Sequence, residues 1–241
     1  MTKLNNLDYF SRGIERYKNG NYQGAIKDFT QVLKLNPNNA DAYNMRGMAR
    51  EQVTYNQKAI DDFTQAIKLK PNDAMFYACR GKIQVRLKEY KGAMNDLSKA
   101  ITLDPNDAFV YSMRAIVRYE MGDKQGALGD FTQAIKLNPN DAIFYGMRGK
   151  ARYEMGDKQG AIDDYTQAIK LGFSDAETYN KRGIVRFEME DYRGATEDYN
   201  QAIKLNPYFA EAYQNRGDLR EEMEDYTGAL DDYKQASKLR G

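Results

Sequence analysis

Residues 108–141 read AFVYSMRAIVRYEMGDKQGALGDFTQAIKLNPND, and residues 142–175 read AIFYGMRGKARYEMGDKQGAIDDYTQAIKLGFSD. The two stretches align without a gap, and their segments 118–127 and 152–161 are identical, as an internal duplication would leave them. Outward from this pair the same 34-residue register continues in both directions. Repeats span 6–39, 40–73, 74–107, 108–141, 142–175, 176–209 and 210–241, so a single domain over 1–241 is expected. Tyrosine stands fourth in every repeat, from Tyr9 to Tyr213, and arginine seventh. Glycine is eighth except at Ala115. Alanine is twentieth throughout. The twenty-fourth position is aromatic or leucine (Phe29, Phe63, Leu97, Phe131, Tyr165, Tyr199, Tyr233). Leucine is thirtieth in every repeat, and proline thirty-second in five of them. Self-similarity at a fixed period of this length marks a solenoid, in which each repeat buries its apolar face only against its neighbours.

Local chemistry makes the repeats helical. Asn39, Asp73, Asp107, Asp141 and Asp175 precede the first helix of a repeat; as N-caps, their side-chain oxygens satisfy backbone N–H groups with no partner in the helix. Proline with asparagine ends the helix before. A helix-interior glycine costs roughly 0.5–1 kcal/mol against alanine. Keeping it at the eighth position therefore predicts a close helix–helix approach, expected against the small residues at positions twenty and twenty-seven. Nothing reads as strand, and the fold class is all-α.

The aromatic-x3-Gly…Ala…aromatic…Ala…Pro pattern, in phase over residues 6–241, resembles the tetratricopeptide repeat. The resemblance implies a right-handed superhelical solenoid of seven stacked antiparallel helix pairs, with a concave groove that binds a peptide or partner segment.

The chain departs from that family at two positions. The seventh is arginine (Arg12, Arg46, Arg80, Arg114, Arg148, Arg182, Arg216) where the family favours leucine. The twenty-third, often aromatic in the family, is aspartate (Asp28, Asp62, Asp96, Asp130, Asp164, Asp198, Asp232). The eleventh adds another arginine in six repeats, with Gln84 the exception. Solvated surface pairs would contribute about 0–1 kcal/mol. A partly buried ladder between helices would cost on the order of 3–5 kcal/mol to break from one side. The fifth repeat also departs, ending in Gly172-Phe173-Ser174, either a turn variant or a local change of superhelical angle.

Thirty-six basic and thirty-five acidic residues leave the chain near neutrality, whereas a nucleic-acid binder carries a basic surplus; none is expected as partner. No apolar run approaches a membrane span. The single cysteine, Cys79, excludes an internal disulfide and suits a reducing compartment, so the expected location is cytoplasmic. Asp8 and Glu15 replace apolar residues in the first repeat, and Ser237 does so in the last; this is the pattern expected of capping repeats in a complete array.

With no histidine in the chain, histidine-based nucleophile systems and the commonest general base are gone. No phosphate-binding glycine loop, nucleophile elbow or paired-cysteine zinc motif is present. The pairs Asp61-Asp62, Asp163-Asp164 and Asp231-Asp232 recur with the repeat and read as a solvated or stacking face. The expectation is no enzyme, no cofactor and no metal.

The first helix of each repeat carries three stripes. Positions four, seven, eight and eleven should face the repeat's own second helix. Positions three, ten and fourteen should pack on the preceding repeat. Positions two, five, six, nine, twelve and thirteen vary, and in relatives they line the groove. They hold Leu7, Phe10, Ile14, Tyr17, Met45, Met48, Met75, Val85, Phe109, Met113, Ile116, Tyr119, Ile143, Met147, Tyr153, Ile184 and Phe187, interrupted by Lys82 and Lys150. Toward the end they turn acidic with Glu177, Glu188, Glu211, Asp218, Glu221 and Glu222. Surplus apolar side chains suggest recognition, and methionine suits permissive surfaces. Relatives that clamp a chaperone's acidic C-terminus carry lysine fifth and asparagine ninth, and this chain has neither. The expected function is a non-catalytic adaptor or assembly factor holding an apolar segment with basic flanks. A self-associating structural scaffold is the alternative.

Overall fold

A computed structural model describes residues 5–241. These residues form fourteen α-helices and no strand. They fall into two compact halves, one ending at Met121 and the other beginning at Gly122. The first half holds α1 (Asn6–Lys18), α2 (Tyr22–Leu35), α3 (Ala40–Gln52), α4 (Asn56–Leu69), α5 (Ala74–Arg86), α6 (Tyr90–Leu103) and α7 (Ala108–Glu120). The second holds α8 (Lys124–Leu137), α9 (Ala142–Glu154), α10 (Lys158–Lys170), α11 (Ala176–Phe187), α12 (Tyr192–Leu205), α13 (Ala210–Glu222) and α14 (Tyr226–Arg240).

Each repeat supplies two helices, and the expected caps begin the first. Asn39, Asp73, Asp107, Asp141 and Asp175 accept from backbone N–H groups two or three residues on. The second helix has its own device. Asn21, Asp123, Asp157, Asp191 and Asp225 accept from the N–H of a glycine three residues later.

The helices of a repeat are antiparallel, as their bonds require: Arg12 reaches Asp28 while Arg16, one turn on, reaches back to the Gly24 carbonyl. The glycine at position eight sits at their closest approach, but its partner differs from the expected one. A methyl group on Gly13 would lie 2.7 Å from the Phe29 ring, and one on Gly183 the same distance from Tyr199. The glycine makes room for the aromatic at position twenty-four. The small residues at twenty and twenty-seven face the next repeat instead: Ala25 and Phe29 cluster with Ala49, Ala66 with Phe76, Ala161 and Tyr165 with Val185, Ala195 and Tyr199 with Leu219. Positions three and ten thus pack on the preceding repeat as expected. Position fourteen does not. Leu87, Met121, Met155 and Met223 follow the last residue of their helix as its C-cap, Met189 lies one residue past the Glu188 cap of α11, and all five are exposed.

The arginine–aspartate pairs form the buried ladder. Within each half, Arg12–Asp28, Arg46–Asp62, Arg80–Asp96, Arg148–Asp164, Arg182–Asp198 and Arg216–Asp232 meet at 2.6–2.7 Å, and these aspartates are buried. In every case Nε and a terminal guanidinium nitrogen donate to opposite carboxylate oxygens, the strong bidentate geometry. Arg16, Arg50, Arg152, Arg186 and Arg220 add a second cation to the same carboxylate. From the second repeat on, the position-seven arginines Arg46, Arg80, Arg114, Arg148, Arg182 and Arg216 also reach the preceding repeat, donating to Thr30, Thr64, Ser98, Thr132, Thr166 and Asn200 in turn. Most of them also lie over the position-four tyrosine of their own helix, Arg148 being 5.7 Å from the Tyr145 centroid. One guanidinium therefore ties two helices of its own repeat and one of the repeat before.

Candidate functional site

With positions seven, eight and eleven turned to the partner helix, and three and ten to the preceding repeat, the remaining face of each first helix is left for solvent or ligand. The variable stripe splits there into two kinds of residue. Phe10, Ile14, Tyr17 and Met45 pack as half-buried neighbours of the Ala25–Phe29–Ala49 cluster, with Phe10 edge-on to Phe29 at 5.7 Å between centroids. Met48 leans on Ala59, Phe63 and Ile83. Met113 packs against the cluster of Leu97 and Val110, and Ile116 and Tyr119 are likewise half-buried. Tyr153 and Phe187 flank the clusters of Tyr165 and Tyr199 respectively. These side chains support the stack.

The exposed residues are fewer. Leu7, Met75 and Phe109 in the first half, and Ile143 and Met147 in the second, are exposed, from Leu7 at 71% to Met147 at 38% accessible. Four of the five occupy position two, at the start of the first helix. In the first half, Met75 and Phe109 border a cavity of about 250 Å³ floored by Ala78, Cys79, Ala100 and Val110, with Lys82 at its edge. Lys82 is ion-paired at 2.9 Å to Glu51, a buried carboxylate. Burial pushes the Cys79 thiol up to about 11, so it stays protonated at neutral pH and serves as wall rather than nucleophile. Beside Met75, the Asn44 amide donates only to the sulfurs of Met48 and Met75, and its buried oxygen has no partner.

In the second half, Ile143, Met147 and Lys150 share a cavity of about 180 Å³ with Phe173. Phe173 lies in the turn after α10, outside the first-helix stripe that the repeat pattern marks. Further on, the acidic residues are organised by neighbours. Tyr153 donates its hydroxyl to Glu188 at 2.5 Å, and Lys158 pairs with the same carboxylate. The Tyr153 hydroxyl is pushed up to about 12, chiefly by burial and then by that acceptor, while the two donors hold Glu188 below its ordinary value. Tyr233 donates to Asp218 and Glu221. Asn180 donates to Glu211 and accepts from Asn215. Among the described residues, no group of three or more histidines, cysteines or carboxylates is placed to hold a metal ion, and no helix is long and apolar enough to cross a membrane.

The architecture is that of a helical-hairpin repeat protein that presents one face of its first helices. Residues 11–154 match the model described as the ETO1 C-terminal domain. Tetratricopeptide repeat models match residues 176–209 and, separately, 142–171 and 210–241. The chain belongs to the tetratricopeptide repeat family, whose members are typically protein–protein interaction modules. No curated protein matches it in sequence. Among solved structures it is similar to PilF of Pseudomonas aeruginosa, at 20% identity over 88% of this chain and 97% of that one, with a TM-score of 0.78. It is similar to a MamA crystal structure at 26% identity over 66% and 94%, TM-score 0.64. A third is YrrB, described as a tetratricopeptide repeat protein with an unusual peptide-binding site, at 21% identity over 76% and 95%, TM-score 0.67.

Proposed function

We propose that this protein is a non-catalytic adaptor or assembly factor that holds a partner's peptide segment against the first-helix faces of its repeats. The observation that carries this reading is the set Leu7, Met75, Phe109, Ile143 and Met147. Packing within and between repeats is served by other positions, yet these five large apolar side chains remain exposed on the face that packing leaves unused. The peptide-binding site named for YrrB supports the same reading by likeness of fold. The preferred segment is apolar with basic flanks, since the apolar residues give way to Glu211, Asp218, Glu221 and Glu222, and opposite charge speeds encounter and excludes wrong partners.

Replacement of Phe109 and Ile143 by glutamate tests this. Both are exposed, so the double variant is expected to melt as the wild type does while losing its captured partner in a pull-down. Retention of the same partner would refute the reading. Oligomers that grow with concentration in light scattering, and that the substitutions leave unchanged, would favour the self-associating scaffold.

A further inference from the structure

The fifth repeat is built differently from the others, and the difference lands on the ligand face. Helix α10 ends at Lys170, and Gly172 adopts φ +97°, the left-handed region open to glycine. The Gly172 and Phe173 N–H groups close the turn on the carbonyls of Ile169 and Ala168. Where five other repeats place proline, this turn places Phe173. Its ring lies 3.7 Å from where a methyl group on Gly146 would stand. Gly146 occupies position five, and no other repeat has glycine there; the rest hold Phe10, Asn44, Ala78, Ser112, Asn180 and Gln214. The aberrant turn and the missing side chain therefore meet at one place. Between them, Ile143 and Met147 complete a cavity of about 180 Å³.

Resting on the groove reading above, we infer that Phe173, Gly146, Ile143 and Met147 form a socket for one branched aliphatic or aromatic side chain of a partner's linear segment, with a lysine or arginine of that segment lying on the neighbouring acidic face. Charge complementarity selects this occupant. The charged residues lining the socket balance in sign, Lys150 and Lys181 against Asp175 and Glu177, with Lys181 paired to Glu177. Beyond it, Glu211, Asp218, Glu221 and Glu222 form no ion pair among the described residues; the first three accept from neutral amides and the Tyr233 hydroxyl. An apolar anchor beside basic residues meets both surfaces, whereas an acidic segment would be repelled.

Gly146→Leu is the discriminating variant, because it fills the socket from within and replaces a helix-interior glycine. The probe is a random peptide library displayed on phage and panned on the full chain, followed by fluorescence anisotropy with the enriched peptides. Wild type is expected to enrich Leu, Ile or Phe with Lys or Arg a few residues away. Gly146→Leu should bind those peptides about tenfold or more weaker, with a melting temperature at or above wild type. Phe173→Ala should blur the apolar preference while keeping the basic one. Unchanged affinity in Gly146→Leu, with binding still lost in Phe109→Glu/Ile143→Glu, would overturn the socket and leave the groove standing. Failure of wild type to enrich any peptide would overturn both. Self-association abolished by Gly146→Leu would assign the socket to a second copy and overturn the partner stated here.

Discussion

Two glycines three residues apart on α8 show how differently one residue type is used. Gly126 donates its N–H to the Asp123 cap at 2.9 Å, and a methyl group there would sit 2.1 Å from the same carboxylate. Gly129 has nothing within 4 Å of that position. Gly126→Ala is expected to cost about 1 kcal/mol by expelling the cap. Gly129→Ala should gain about 0.5–1 kcal/mol from lost unfolded-state freedom and better helix propensity. Urea unfolding of the two variants checks the opposite signs. The second repeat agrees with this account: Lys58 stands where the glycine would, and Tyr55 before it makes no cap bond. The caps of the first helices were legible because Asn or Asp immediately before a helix has one common use. The role of the position-eight glycine was legible only as a close approach, since sequence does not say which facing side chain fills the gap.

Between elements, the ladder decides stability. Asp164 accepts from Arg148 and Arg152, and Arg148 exposes only 12% of its side chain. Asp164→Leu alone is therefore expected to cost on the order of 3–5 kcal/mol, because it strands a desolvated guanidinium. Adding Arg148→Leu should recover part of that loss, and a double-mutant cycle by thermal unfolding measures the coupling. The pairing of positions seven and twenty-three could be read from their joint departure from the family pattern. Their burial could not, because one sequence pattern serves a solvated pair and a buried one alike. The bond from each position-seven arginine after Arg12 to the hydroxyl or amide at position twenty-five of the preceding repeat left no such mark: Thr30 or Thr64 has no property that distinguishes it from an ordinary surface threonine. The third repeat shows the ladder incomplete, with Gln84 in the second arginine's place and its buried side-chain oxygen unpartnered.

For the molecule as a whole, stability is close to a sum of repeat terms and nearest-neighbour interfaces. The ladder bonds span sixteen residues or fewer, so contacts are local and folding should be fast for the chain's length. Protection should follow coverage. In the second half, α12 packs on both α11 and α13, whereas α14 packs on α13 and buries Ala229, Asp232 and Ala236 along its length. Amides of α14 are expected to exchange faster than those of α12 in native-state hydrogen exchange; equal protection would mean that the half unfolds as one cooperative block.

The sequence by itself determined the helices, the caps of the first helices, their pairing and the family, because a 34-residue period repeats the local signals in most or all repeats and leaves one arrangement consistent with them. It also marked the stripe of first-helix positions from which a ligand face is drawn. Tertiary structure alone decided which residues of that stripe are spent on packing, as Phe10 and Met113 are, and which stand exposed, as Phe109 and Ile143 do. It also set Phe173 over Gly146, twenty-seven positions away. Exposure depends on what neighbouring helices cover, and the direction of a side chain leaving a turn depends on that turn's backbone angles. Neither quantity is periodic in the sequence, so neither can be read from the repeat.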